Sequence, residues 1–303
     1  MANTTRECGC KGYRTCLICE KKFGIQRQSV AINVENSYVY CLYCNKAYHG
    51  WDMNIYKKHP DHGNDGINYP GVFILENFLS EKEEDYLLTN IDMVAWDPSQ
   101  SGRRKQNYGP KCNFKKRKIK LGDFNGFPSF SKFVQEKFKN VPILQNFHTI
   151  EQCSLEYNAE TGASIDPHID DSWIWGERIV TVNLLSDSVL TMTINKKCDR
   201  YNLNCVKDYT SVVDQILGSN KTFEIKNYQD DIDYPIIRIP MPRRSLLVMF
   251  GSARYEWEHQ IFRDDIAGRR VCLAYREFTP TFLDGGKDYH IGKEILEKAQ
   301  KFF

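Results

Sequence analysis

Apolar positions in this chain gather in short runs rather than long stripes. Residues 72–75, Val-Phe-Ile-Leu, follow Pro70-Gly71 and read as a strand. Ser80 then opens a helix. Glu83, three residues on, completes a capping box, and Tyr86, Leu87 and Ile91 supply the helical spacing. A second helix is predicted from residue 129 to about 139, with Phe130, Phe133, Val134 and Phe138 on one face. Beyond about residue 150 the texture is strand-like. Residues 179–185, 189–194, 236–239, 245–250 and 271–278 are short, rich in β-branched or aromatic residues, and separated by turn formers. Two leading helices followed by many short strands predict an α+β fold with a double-sheet β core.

The first 66 residues differ from the rest. They hold Cys8, Cys10, Cys16, Cys19, Cys41 and Cys44 and end in a turn-rich stretch, residues 59–66, which reads as a linker. The expected division is a Cys-rich segment over 1–66 and a main domain over 67–303, with residues 196–234 as a polar insertion. Composition adds little: 41% hydrophobic and 26% charged residues are ordinary for a globular chain. A formal charge of +2 gives no global reason for nucleic-acid or membrane binding, so any such affinity must be local. Residues 1–10 are polar and no apolar run approaches a membrane span, which predicts no secretory signal and no membrane partner. Eleven cysteines without an export signal are expected to be reduced thiols or metal ligands, in cytoplasm and nucleus.

The candidate chemistry begins at His168-Ile169-Asp170. On a strand, residues two apart share a face, so both side chains can converge on one ion. A further histidine, His259, would complete a two-histidine, one-carboxylate set suited to Fe(II), with positions left open for a keto acid and oxygen. Eleven residues after His259, strand alternation puts Arg270, Cys272, Ala274 and Arg276 on one face. Two guanidinium groups in a core need anionic partners, and a dicarboxylate would supply them through paired hydrogen bonds.

The order His-x-Asp, distant His, Arg-x5-Arg resembles the signature of the AlkB family of Fe(II)- and 2-oxoglutarate-dependent dioxygenases. Segments 7–12, 101–106, 108–111 and 166–171 are similar to its fourth animal branch. The resemblance implies a jelly-roll core and His168, Asp170 and His259 as both catalytic and iron-binding residues. It also implies Fe(II), 2-oxoglutarate and O2 as cofactors. It implies that Arg270 pairs with the distal carboxylate of 2-oxoglutarate, with Arg276 near the iron-side carboxylate or the substrate pocket. The family's Asn-x-Tyr cosubstrate motif falls on Leu155-Glu156-Tyr157: Tyr157 matches and Leu155 does not, so one amide contact is either missing or supplied from elsewhere, with Ser154 and Asn183 as candidates. The implied reaction is oxidative N-demethylation with release of formaldehyde, succinate and CO2. Methylated lysine in a protein, actin for this branch, is the expected substrate, and N6-methyladenine in DNA the alternative. A non-catalytic zinc-dependent interaction protein is the reading from another class. No sequence feature speaks to oligomeric state.

Cys8, Cys10, Cys16 and Cys19 place four thiols within twelve residues, suited to structural zinc, with an iron–sulfur cluster or free thiols as alternatives. Cys41 and Cys44 are a further pair with His49 within reach in sequence. Residues 103–120 hold nine Lys and Arg and no acid, which predicts a mobile basic lid hinged near Gly102 and Gly109. Arg103, Arg104, Lys105 and Tyr108 from that segment, with Asp171, Trp173 and Trp175 near the metal, are the candidate substrate contacts.

Overall fold

The computed structural model describes residues 6–27, 32–196, 200–201 and 203–303. Its strands are β1 (Ser37–Cys41), β2 (Lys46–His49), β3 (Ile67–Asn68), β4 (Val72–Leu75), β5 (Asp97–Pro98) and β6 (Arg104–Tyr108). A small hairpin, β7 (Lys111–Asn113) and β8 (Lys118–Lys120), comes next. Then follow β9 (Glu151–Tyr157), β10 (Ile165–His168), β11 (Trp175–Leu184) and β12 (Ser188–Ile194). The last strands are β13 (Ile236–Met241), β14 (Leu246–Met249), β15 (Trp257–Ile261) and β16 (Arg270–Phe278). The helices are α1 (Leu17–Phe23), α2 (Glu81–Met93), α3 (Lys132–Phe138), α4 (Val212–Ile216), α5 (Gly251–Tyr255) and α6 (Tyr289–Lys298).

Two seven-stranded sheets form the jelly roll, in the orders β10-β15-β12-β13-β1-β2-β3 and β4-β14-β11-β16-β9-β6-β5. Side-chain alternation divides the second sheet into two environments. Ile179, Leu247, Met249 and Cys272 pack inward with Met192, Ile237 and Ile239 of the first sheet. Val180, Val182, Leu246, Val248, Val271, Leu273 and Tyr275 face outward and are covered by Leu87, Leu88 and Ile91 of α2 and Val134 and Phe138 of α3. The strands buried on both faces are therefore the continuous apolar runs of the sequence. The capping box at Ser80 and Glu83 forms as expected. The second helix begins as a single 3-10 turn at Ser129–Ser131 before α3.

Residues from the Cys-rich segment are built into the first sheet. β1 runs parallel to β13, with Ser37 opposite Ile236, and β2 pairs with both β1 and β3. Residues 59–66 thus connect two paired strands of one sheet and do not link two bodies. The start of the basic segment is held in the second sheet, with β6 hydrogen-bonded to β9 from Arg104↔Glu156 to Tyr108↔Gln152, whereas the β7–β8 hairpin beyond it pairs only within itself. Among the described residues no helix is long and apolar enough to cross a membrane.

Candidate active site

Antiparallel pairing of β10 and β15 sets His168 directly opposite His259, with ring centroids 4.1 Å apart. Asp170 lies beyond the end of β10, in the loop, so a turn of the chain rather than strand alternation brings it in. His168 Nε2 is 4.0 Å from Asp170 Oδ1, and one ligand atom from each of the three residues lies within 4.8 Å of the others. His168 donates Nδ1–H to the Asp166 carbonyl at 2.9 Å, which leaves Nε2 for a metal. Asp170 Oδ2 and His259 Nδ1 are buried without a hydrogen-bond partner. Converging donor atoms flanked by buried polar atoms without partners fit a divalent cation, and the N2O donor set suits Fe(II).

The electrostatics agree. Burial lowers both imidazole pKa values, that of His259 strongly, with the neighbouring His168 adding to its shift. Both rings are therefore neutral and able to ligate at pH 7. Burial works to raise the Asp170 carboxyl, but the Arg276 guanidinium outweighs it and holds the group far below the usual carboxylate range. Arg276 donates Nη2–H to Asp170 Oδ1 at 3.1 Å and Nη1–H to Glu151 Oε2 at 2.6 Å. It is thus committed to orienting the carboxylate. Glu151 and the fully buried Arg254, which also lowers the Asp170 pKa, escaped sequence reasoning because no motif marks them.

Arg270 behaves differently. It is fully buried, and its guanidinium lies 4.8 Å from the Tyr157 ring centroid. Nε donates to Asn183 Oδ1 at 2.7 Å, Nη2 reaches only the Met241 sulfur at 3.8 Å, and Nη1 has no partner. No carboxylate among the described residues pairs with it. The Asn183 amide nitrogen donates to the carbonyls of Ser186, Met241 and Pro242, which turns its oxygen toward Arg270. A buried, half-satisfied guanidinium is costly unless an anion completes it. Register also chooses between the two stand-ins for the Asn-x-Tyr amide. Asn183 is opposite Cys272, on the face of Arg270, whereas Ser154 is opposite Leu273, whose side chain packs under the helices.

The insertion closes one side. Leu203, Val206 and Tyr209 pack with Tyr255 around Ile169, the residue between two of the candidate ligands. The Cys8, Cys10, Cys16 and Cys19 thiols also converge within 4.8 Å, with Cys8–Cys19 at 3.2 Å and Cys16–Cys19 at 3.8 Å, a cluster that could hold a zinc ion. This quartet docks beside β10. Arg14 pairs with Asp166, Arg263 holds Glu20 of α1 at 2.7 Å, and Gly102 (φ +76°) leaves room for Cys16. A Cβ at Gly102 would lie 3.1 Å from Cys16 Cβ and 2.8 Å from the Thr161 carbonyl oxygen. Cys41 and Cys44 stand apart, at the β1–β2 turn. His49 does not join them: its Nε2 contacts the Glu35 carbonyl oxygen and its ring packs edge-on to Tyr38.

A cleft of about 810 Å³ lies between the Cys-rich loop and the second sheet, with Arg276, Cys153 and Leu155 on its wall. Arg6, Lys11, Arg14, Arg103 and Lys105 line it against the acids Glu7 and Asp97. Other candidate substrate contacts fall elsewhere. Arg104 is bound to Glu156 and stacks on Trp96, and Tyr108 packs toward Phe303. Trp175 is buried in the core, 5.9 Å from the Arg276 guanidinium, and Trp173 packs against Phe282. Asp171 is partly buried, and burial, reinforced by Asp170, raises its pKa.

The chain is 39% identical over 300 residues to the human alpha-ketoglutarate-dependent dioxygenase alkB homolog 4, covering 98% of this chain and 94% of that protein. The mouse protein of the same name is 37% identical over 98% of this chain and 95% of its own length. A Caenorhabditis elegans protein named DNA N6-methyl adenine demethylase is 32% identical over 98% and 95% respectively. The solved structure of OsALKBH1 overlaps 69% of this chain and 99% of its own at a TM-score of 0.41 and 11% identity, too loose a likeness to bear on the site. No protein-family model matches the chain.

Proposed function

This chain belongs to the AlkB family of alpha-ketoglutarate-dependent dioxygenases, and from that premise we propose that it removes methyl groups from nitrogen oxidatively. It is an enzyme, and the reading as a non-catalytic zinc-dependent interaction protein falls away. The observation that carries the cofactor assignment is the buried, anion-less Arg270 on the sheet face that also presents Arg276 to Asp170.

Iron and 2-oxoglutarate, when bound, supply the oxidising power that hydroxylates an N-methyl group, whose product breaks down to formaldehyde and the free amine. His168, Asp170 and His259 would hold the metal, and Arg270 would grip the distal carboxylate of the keto acid. Asn183 fixes the guanidinium for that contact. Tyr157 covers its face. The Asp166 carbonyl sets the His168 tautomer, and Arg276 keeps Asp170 ionised and aimed. The Ile169 cluster keeps bulk water from that side.

For the substrate, the basic lining of the cleft beside Arg276 favours a polyanion, and the nematode relative carries a DNA N6-methyl adenine demethylase name. We therefore place N6-methyladenine in DNA first. Methylated lysine in a protein, with actin as the candidate, rests on the resemblance of the motifs alone. The test is formaldehyde release with Fe(II) and 2-oxoglutarate, comparing a methyladenine oligonucleotide with a methyl-lysine peptide at two salt concentrations. Turnover of the oligonucleotide that falls with salt is expected. Turnover of the peptide alone would reverse the order, and release from neither would overturn the demethylase reading.

A further inference from the structure

The Cys-rich segment has a second convergence of ligand atoms, away from the cleft. Cys41 ends β1, Cys44 lies in the turn to β2, and His59 and His62 follow the 3-10 turn Met53–Lys58. Their donor atoms all lie within 4.8 Å of one another. His59 Nδ1 is 3.2 Å from His62 Nε2. The sulfur–nitrogen separations are 3.8 Å for Cys41–His59, 3.3 Å for Cys41–His62 and 3.6 Å for Cys44–His62.

A tetrahedral ion with zinc–sulfur and zinc–nitrogen bonds of ordinary length sets ligand edges of about 3.3 Å for N–N and about 3.6 Å for S–N. The observed edges fall around those values. The surroundings suit ligation. The Tyr48 hydroxyl is 3.3 Å from Cys44 Sγ, and the Tyr48 ring stacks on His62 at 3.8 Å between centroids. Tyr43 packs on His59 at 5.2 Å. The spacing is Cys-x2-Cys, fourteen residues, His-x2-His, one residue short between the histidines of a common zinc pattern.

We propose that Cys41, Cys44, His59 and His62 bind one structural zinc ion, distinct from the Cys8–Cys19 quartet and from the iron site. Binding displaces the two thiol protons to solvent, and four protein ligands leave no open position, so the ion serves architecture and not catalysis. The local apolar cluster is small, with only Val39, Cys41, Tyr48 and Tyr56 buried in it. The ion would tie the β1–β2 turn to the 3-10 turn and so secure the far end of the first sheet. β12 and β13 separate β1 from β15, which carries His259.

The test uses the full-length protein, with zinc measured by mass spectrometry and Co(II) replacement followed by absorption. His59→Ala combined with His62→Ala is expected to lose one equivalent of zinc and to melt at lower temperature. His62→Cys is expected to keep the metal and, with a third thiolate, to give a stronger Co(II) charge-transfer band. Unchanged zinc content in the double alanine variant, or a wild-type protein without zinc, overturns the proposal. Should the double variant fail to fold, an unchanged Co(II) spectrum in His62→Cys overturns it equally.

Discussion

At the scale of single residues, the two arginines of β16 divide the work by what already surrounds them. Arg276 meets Glu151 and Asp170, so its charge is neutralised within the chain. Arg270 meets one amide oxygen, a thioether and an aromatic face, so its charge awaits a ligand. Arg270→Lys keeps the charge and loses the planar fork, which is worth about 1.5–3 kcal/mol for hydrogen bonds to charged groups. The KM for 2-oxoglutarate should rise by at least about tenfold at that cost, with iron affinity unchanged. An unaltered KM would place the keto acid elsewhere. Arg270 and Arg276 were legible in sequence as a pair on one face. Their protein partners were not, because Glu151 lies 125 positions from Arg276 and Asn183 lies 87 from Arg270.

At the scale of elements, β9 shows how an edge is held by charge. Glu156 is buried and receives Arg104 from β6 and Arg269 from the approach to β16, and Arg269 also grips Asp92 of α2. Burial alone would raise the Glu156 carboxyl. Hydrogen bonds from Arg104 and Arg269 outweigh it and depress the pKa. A depressed folded-state pKa contributes stability in full above the unfolded value, about 4.3, and loses it as pH falls through the folded value. The melting-temperature gap between wild type and Glu156→Gln should therefore stay constant above about pH 5.5 and close below about pH 4. A gap that persists into acid would mean that packing, not charge, holds β6 to β9. Element by element, α2 was readable from its capping box, and β11, β12, β13, β14 and β16 from their apolar runs. The strands that carry the site, β9, β10 and β15, were not. Each carries polar or charged residues among its apolar ones, and such a strand has no clean hydrophobic period to read.

At the scale of the whole molecule, segments distant in sequence enclose one site. The Cys-rich loop docks on one side through Arg14–Asp166 and Glu20–Arg263, and the insertion on another through Ile169. Leu203→Ala should remove about 2 kcal/mol of packing, the low end for a buried leucine because the cluster is a satellite. If that packing steadies the His168–Asp170 loop, Fe(II) should bind more weakly while the second sheet keeps its stability. Iron titration against thermal melting would separate the two, and equal Fe(II) affinity would reduce the insertion to mere cover.

The sequence by itself determined the ligand types, the arginine pair, the apolar strands of both sheets and the paired cysteines, since these depend on residue identity and local period. Tertiary structure alone decided which groups meet. It set His168 across from His259, brought Asp170 in from a loop, left Arg270 without an anion, and put His59 and His62, not His49, against Cys41 and Cys44. The reason is physical: spacing along a chain constrains direction only within one element, whereas burial, pairing and charge compensation are set by neighbours that folding brings from far away.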